Sequence, residues 1–181
     1  MPQEPAPKIY EVAVYGDPIT QGSMRKSKTG NIVHDKAEEL TRWRQQIEDA
    51  FCEKYGTPTW QPINAAVRVE VIITVTARRA LPPNTPVFAD TKPDVDKLAR
   101  AVGDALAPSP SSKIKAGSRA GQKHFRLLAE DGRIVSWGAQ KTYPWGNHTH
   151  RAALRVPGVQ VRVTVLSGVS VADMRAWGYS V

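Results

Sequence analysis

The stretch that decides the fold is Thr91-Lys92-Pro93-Asp94-Val95-Asp96-Lys97-Leu98-Ala99-Arg100-Ala101-Val102-Gly103-Asp104-Ala105-Leu106. Val95, Leu98, Ala99, Val102 and Leu106 recur at three- and four-residue spacing, the period of one helical face. Pro93 suits a first helical turn, and Asp94 and Asp96 put negative charge where a helix dipole is positive. The other face carries Asp96, Arg100 and Asp104 at four-residue steps, with Lys97 beside them. The pattern predicts an amphipathic helix with acids at its entrance. Two readings of those acids stay open. Either they are caps and dipole partners, with Asp96 and Arg100 a solvated pair worth ~0.2–0.5 kcal/mol, or they carry chemistry. A second acidic pair, Glu130-Asp131, precedes the apolar run Ile134-Val135-Ser136-Trp137. Carboxylates on a helix start and at a strand entrance can converge on one divalent ion, and such hard oxygen ligands suit Mg²⁺ or Mn²⁺.

Before this helix, Val67, Val69, Val71, Ile73 and Val75 alternate with Arg68, Glu70, Ile72, Thr74 and Thr76, which predicts a strand over 66–76 with one core face. The segment 78–91 holds Pro82, Pro83 and Pro86, too many for a regular element. Residues 9–15 read as a short strand whose alternation leaves the buried face ambiguous. The run 20–31 is polar, basic and punctuated by glycine, and reads equally as an exposed turn or as a loop along phosphates. Asp35, with Glu38 three positions later, predicts a capped helix to about Tyr55. Leu40, Trp43, Ile47 and Phe51 form its apolar stripe, and Arg42, Arg44, Glu48 and Asp49 are expected to face elsewhere.

After the central helix, 107–126 holds five Lys or Arg residues and no acid. It reads as a flexible loop, decorative or in contact with nucleic acid. Strands are expected over 133–141 and 159–165, and a short helix around 172–177. Between them, His148 and His150 have neither a cysteine nor an acid nearby and make a weak metal signature.

Composition sets the class. A chain of 181 residues with 41% apolar content supports one domain with a real core, and a formal charge of +8 favours a polyanionic partner. The single cysteine, Cys52, excludes an intrachain disulfide and a cysteine-rich zinc site, and fits a reducing, intracellular setting. Neither a signal-peptide core nor a bilayer-length apolar run is present. Phosphate-loop, HExxH and GxSxG motifs are lacking too, which leaves ATPase, zincin and serine-hydrolase chemistry without a foothold.

The run Lys92-Pro93-Asp94-Val95-Asp96-Lys97-Leu98, continuing into Asp104-Ala105-Leu106, then Glu130-Asp131-Gly132-Arg133-Ile134-Val135 with Lys141 beyond, resembles the RusA family of Holliday junction resolvases. Gly16, Pro18, Arg25 and the Trp43 helix are similar to that family's opening loop and following helix, so the resemblance covers roughly residues 10–166. It implies a single α/β domain of the α+β kind, with a mixed β-sheet packed against helices. Residues 1–8 would be a tail, 9–166 the nuclease domain with a basic insertion at about 107–126, and 167–181 an extension.

The resemblance also implies a site. Asp94, Asp96 and Asp131 match the family's metal-binding catalytic acids. Arg100 stands where the family has a lysine, Lys97 where it has an asparagine, and Glu130 where it has the first aspartate of a pair. The implied activity is Mg²⁺-dependent hydrolysis of DNA phosphodiesters at four-way junctions, with Mn²⁺ as a substitute. Arg100 would clamp phosphate, Arg25, Lys92, Lys97 and Lys141 would seat the backbone, and Glu130 and Asp104 would support the metal ligands. The implied partners are branched duplex DNA and a second copy of the chain, with no membrane and no nucleotide cofactor. The implied compartment is the cytoplasm of a bacterium, or of a host cell if the gene is viral. The alternatives are a DNA-binding protein whose Lys97 and Arg100 neutralise the acids, and a structural protein using the helix as an interface.

Overall fold

Val67, Val69, Val71 and Ile73 are fully or almost fully buried, while the residues between them are half-exposed. The chain is described by a computed structural model that covers residues 7–22, 24–26, 32–34, 36–77, 87–115, 117–144, 150–167 and 170–178. The alternating segment forms β4 (Val67–Thr74), the hub of a four-stranded sheet. Its other members are β1 (Ile9–Tyr15), β5 (Ile134–Thr142) and β6 (Gly158–Val165), in the order β1-β6-β4-β5. β6 pairs antiparallel with both β1 and β4, whereas β5 runs parallel to β4. The sheet is therefore mixed. A parallel pair needs a crossover, and the helix with the acidic entrance, α2 (Val95–Leu106), lies within that connection.

The buried face of β1 is the one bearing Tyr10 and Val14, which settles the ambiguity of its alternation. Gly158 starts β6 where any larger residue would collide, since an added Cβ would lie 2.3 Å from the Val14 carbonyl oxygen. Between Val67 and Arg68 the β4–β5 register slips by one, so Val135 has no partner and bulges from the strand.

Two helices cover the buried face. α1 (Ala37–Tyr55) packs on β1 and α2 packs on β5, and the helices also touch each other. Leu40, Trp43, Ile47 and Phe51 of α1 meet Leu98, Val102 and Leu106 of α2 in one core with the valines of β4 and β6. Removing a large side chain from such a core costs about 2–5 kcal/mol. Across the sheet, the outward residues form ion pairs, Arg68 with Glu70 and Arg162 with Glu11, both at 3.1 Å. The guanidinium of Arg68 also lies 5.1 Å above the Trp177 ring, next to α3 (Val171–Ala176).

Several expectations need adjustment. Pro93 lies ahead of the N-cap residue Asp94 and outside the first turn, and the Lys92–Pro93 peptide is cis. Residues 24–26, read as part of a loop, pair with 32–34 in a small antiparallel ribbon, β2 (Met24–Lys26) and β3 (Ile32–His34). A 3-10 turn, Asp131–Arg133, precedes β5. The basic segment 107–126 is held by buried Ile114 and by a backbone bond from Ile114 to Gln122 at 3.0 Å. Asp35, His148 and most of residues 1–8 lie outside the described residues. Among the described residues, no helix is long and apolar enough to cross a membrane.

Candidate functional site

Asp94 is the N-cap of α2, with extended backbone (φ −71°, ψ 134°), yet its side chain makes no capping hydrogen bond. The carboxylate turns instead to Lys97, 2.9 Å away and one turn further along the helix. The hydrogen bond from Lys97 and that residue's charge hold the Asp94 carboxyl below its ordinary value against the opposing desolvation, with lesser help from the charges of Lys92 and Lys141. The same bond raises the Lys97 ammonium, aided by the charges of Asp94 and Asp96. One turn of sequence thus gives an ionised acid beside a protonated base.

A cleft of about 800 Å³ opens in front of this pair. Its walls come from the loop after β1, the first half of α1, the end of β4 and the entrance of α2. Lys36, Arg42, Lys92 and Lys97 line it alongside Asp17, Glu39 and Asp94, with Trp43 as an apolar wall. Trp43 is almost wholly buried, so it serves the core and the cleft together. The chain segment carrying Asp94 is fixed from β5: the ammonium of Lys141 crosses to donate to the carbonyls of Thr91 and of Pro93, the latter at 2.7 Å. Lys141, expected on the DNA backbone, is therefore engaged with protein carbonyls.

Asp96 and Arg100 are exposed on α2 without pairing to each other. Asp104 takes Arg44 of α1, which also donates to Gln21. Sequence spacing gave no sign of Arg44, because its partner is sixty residues away. Arg25 belongs to β2, and its side chain lies outside the described residues.

Asp131 is exposed in the 3-10 turn, and Glu130 beside it pairs with Arg133 at 2.8 Å. This turn packs on α2, but at the far end from Asp94. The Leu128 amide donates to the Leu106 carbonyl at 3.0 Å, and a Cβ added at Gly103 would meet Trp137 at 3.2 Å. β5 therefore runs back along α2 from its last turn to its first. The helix from Asp94 to Leu106 is about 18 Å long at 1.5 Å per residue. Ligands of one Mg²⁺ each lie about 2.0–2.1 Å from the ion, hence within roughly 4 Å of one another. Asp94 and Asp96 are two hard oxygen donors at the entrance of α2, of which Asp94 lines the cleft, and Asp131 of the same chain does not join them. Among the described residues, no group of three or more His, Cys, Asp or Glu side chains is arranged to hold a metal ion.

Sequence reasoning also missed a buried polar cluster. Glu48, expected to face away from the core, is 3% exposed. Its carboxylate accepts from the Phe125 amide at 2.7 Å and from Arg119 at 3.1 Å, and it also contacts His124. Arg119 bonds Asp49 as well. Burial disfavours the Arg119 charge, but the bond to Asp49 and the nearby acids outweigh it and raise its pKa. Part of the positive charge of 107–126 is thereby neutralised within the molecule.

No protein-family model matches the chain, and no curated protein matches it.

Proposed function

We propose that this chain is a divalent-metal-dependent, structure-selective endodeoxyribonuclease that resolves four-way DNA junctions. The observation that carries the reading is the Pro93-Asp94-Val95-Asp96 entrance of α2, whose Pro93 and Asp94 line a large cleft with Lys36, Arg42, Lys92 and Lys97 beside the acids Asp17 and Glu39. Carboxylates repel DNA phosphates, and a ring of cations offsets that repulsion where the backbone must approach. Exposed Arg100, one turn beyond Asp96, presents a planar fork suited to a phosphate. The net charge of +8 supports a polyanionic substrate. A working pair of sites on two copies of the chain would suit two symmetric nicks.

Purified protein is expected to nick a synthetic four-way junction near its branch point with Mg²⁺ or Mn²⁺ and not with EDTA. Asp96→Asn should bind the junction and leave it intact. Cleavage in EDTA, or undiminished cleavage by the Asp96→Asn protein, sinks the reading.

One observation favours a second reading, a DNA-binding protein without turnover. The 2.9 Å pair of Lys97 with Asp94 neutralises an acid that a metal would need. Junction binding without cleavage under any divalent ion would select this alternative.

A further inference from the structure

The basic insertion divides its five cations in two. Arg119 is bound to Glu48 and Asp49, and Arg126 donates to the Ala129 carbonyl, so both are engaged within the molecule. Lys113, Lys115 and Lys123 are exposed, and 107–126 holds no acid to pair with them. These three lysines stand on a firm support. Lys113 and Lys115 flank Ile114, which is 2% exposed, and Lys123 precedes His124 and Phe125, which Glu48 holds. Lys113 and Lys123 are antiparallel bridge partners. Beside the bridge the Ile114 amide donates to the Gln122 carbonyl at 3.0 Å, so the two lysines form a pair not hydrogen-bonded to each other, the kind in which facing side chains come closest. Like charges directly opposite one another weaken the pairing they sit on. An anion seated between them removes that cost.

The insertion adjoins the cleft along α1. A Cβ added at Gly117 would lie 3.4 Å from the Gln45 side chain, and Arg119 reaches Asp49 one turn further on. Arg42, one turn before Gln45, lines the cleft, as does Gln46. From Arg42 to Asp49 the helix rises about 10 Å at 1.5 Å per residue. Along one strand of a duplex that is about three base pairs. We propose that the insertion is a phosphate-binding platform, which holds a duplex arm of the substrate beside the cleft with a backbone phosphate between Lys113 and Lys123. The proposal rests on the DNA substrate of the nuclease reading and adds a second place where that substrate is gripped. Duplex DNA fits better than an acidic protein, because its evenly spaced phosphates bridge the short distance from cleft to platform without a break. A support held by Ile114 and Glu48 also reduces the ordering that binding would otherwise require.

Two triple variants of equal charge test the platform. One carries Lys113→Gln, Lys115→Gln and Lys123→Gln. The control carries Lys8→Gln, Lys54→Gln and Arg151→Gln, of which Lys54 and Arg151 line a separate hollow beside β1, β4 and β6. All six residues are exposed, so both proteins should fold, as circular dichroism and urea unfolding would verify. In fluorescence anisotropy on a four-way junction, the platform variant should bind roughly tenfold more weakly and lower the log–log salt slope by about two to three, whereas the control should keep the wild-type slope. Methylphosphonates placed about three to six base pairs from the branch point should weaken wild-type binding severalfold and leave the platform variant unaffected. A platform variant with the wild-type slope, while wild type binds and cuts the junction, overturns the platform and leaves the nuclease reading standing. An equal loss in the control overturns it too, since net charge then accounts for the binding. A slope lowered only in the platform variant, with no cleavage under any divalent ion, supports the platform and removes the nuclease reading. Wild type that binds no DNA removes both.

Discussion

Lys97 and Asp94 are three residues apart, and their bond decides how the cleft is charged. The direction of the shift gives a sign. A carboxyl whose pKa is lowered in the folded state contributes pairing above its ordinary value of 3.8 and loses it as pH falls through the lower folded value. Carboxyl-carbon NMR should therefore place the Asp94 midpoint below 3.8, and Lys97→Met should move it upward. An unchanged midpoint in that variant would mean that Lys92 and Lys141 alone set the shift. At this scale the sequence was half legible. Acids and bases on one side of α2 could be read from spacing, but four-residue steps pointed to Asp96 with Arg100. The realised pairs are Lys97 with Asp94 and Arg44 with Asp104, and the second depends on how two helices pack.

Among the elements, α1 and the basic insertion show what periodicity misses. Glu48 follows Ile47 at the margin of the apolar stripe, and a charged residue there reads as solvent-facing. Burial is possible because residues 119–125 return over the helix and supply its partners. The aromatic contacts reinforce that closure: the Trp60 and Phe125 rings lie 5.3 Å apart, and the Trp60 indole donates to the Arg126 carbonyl at 2.9 Å. Replacing Glu48 by alanine would leave the Phe125 amide and His124 without this acceptor and Arg119 with Asp49 as its remaining carboxylate. We expect a loss of about 3 kcal/mol by urea unfolding, together with faster proteolysis near Lys113, Lys115 and Lys123. Glu48→Gln keeps an acceptor for the amide and should cost less. Equal stability of the wild-type and alanine proteins would show that the insertion is held by Ile114 and Phe125 alone.

For the whole molecule, the four strands of the main sheet and both long helices could be read from alternation and period, whereas the β2–β3 ribbon and the strand order could not. Nothing in a run of alternating valines says that β6 enters between β1 and β4, or that β5 is parallel to its neighbour. That order is also what separates Asp131 from Asp94, so the candidate site was legible as a set of residues and not as a place. The overall charge leads to a further expectation. Junction affinity by fluorescence anisotropy should fall steeply with salt, and Lys92→Ala and Arg100→Ala should each reduce the log–log slope by about one. A slope unchanged in both variants would put the phosphate contacts elsewhere.

The position of β6 has a consequence for how the chain is made. Of the four strands in the sheet it is the last to be synthesised, yet it is the only one bonded to both β1 and β4. Until Gly158–Val165 emerges, β1 and β4 have no shared partner, and the valines of β4 lack half of their cover. The nascent protein must therefore carry β4 incomplete from Thr74 until Gly158 is reached, close to half of its synthesis. Delay just before Gly158 is the moment when a chaperone, or a neighbouring chain, would compete best for that strand.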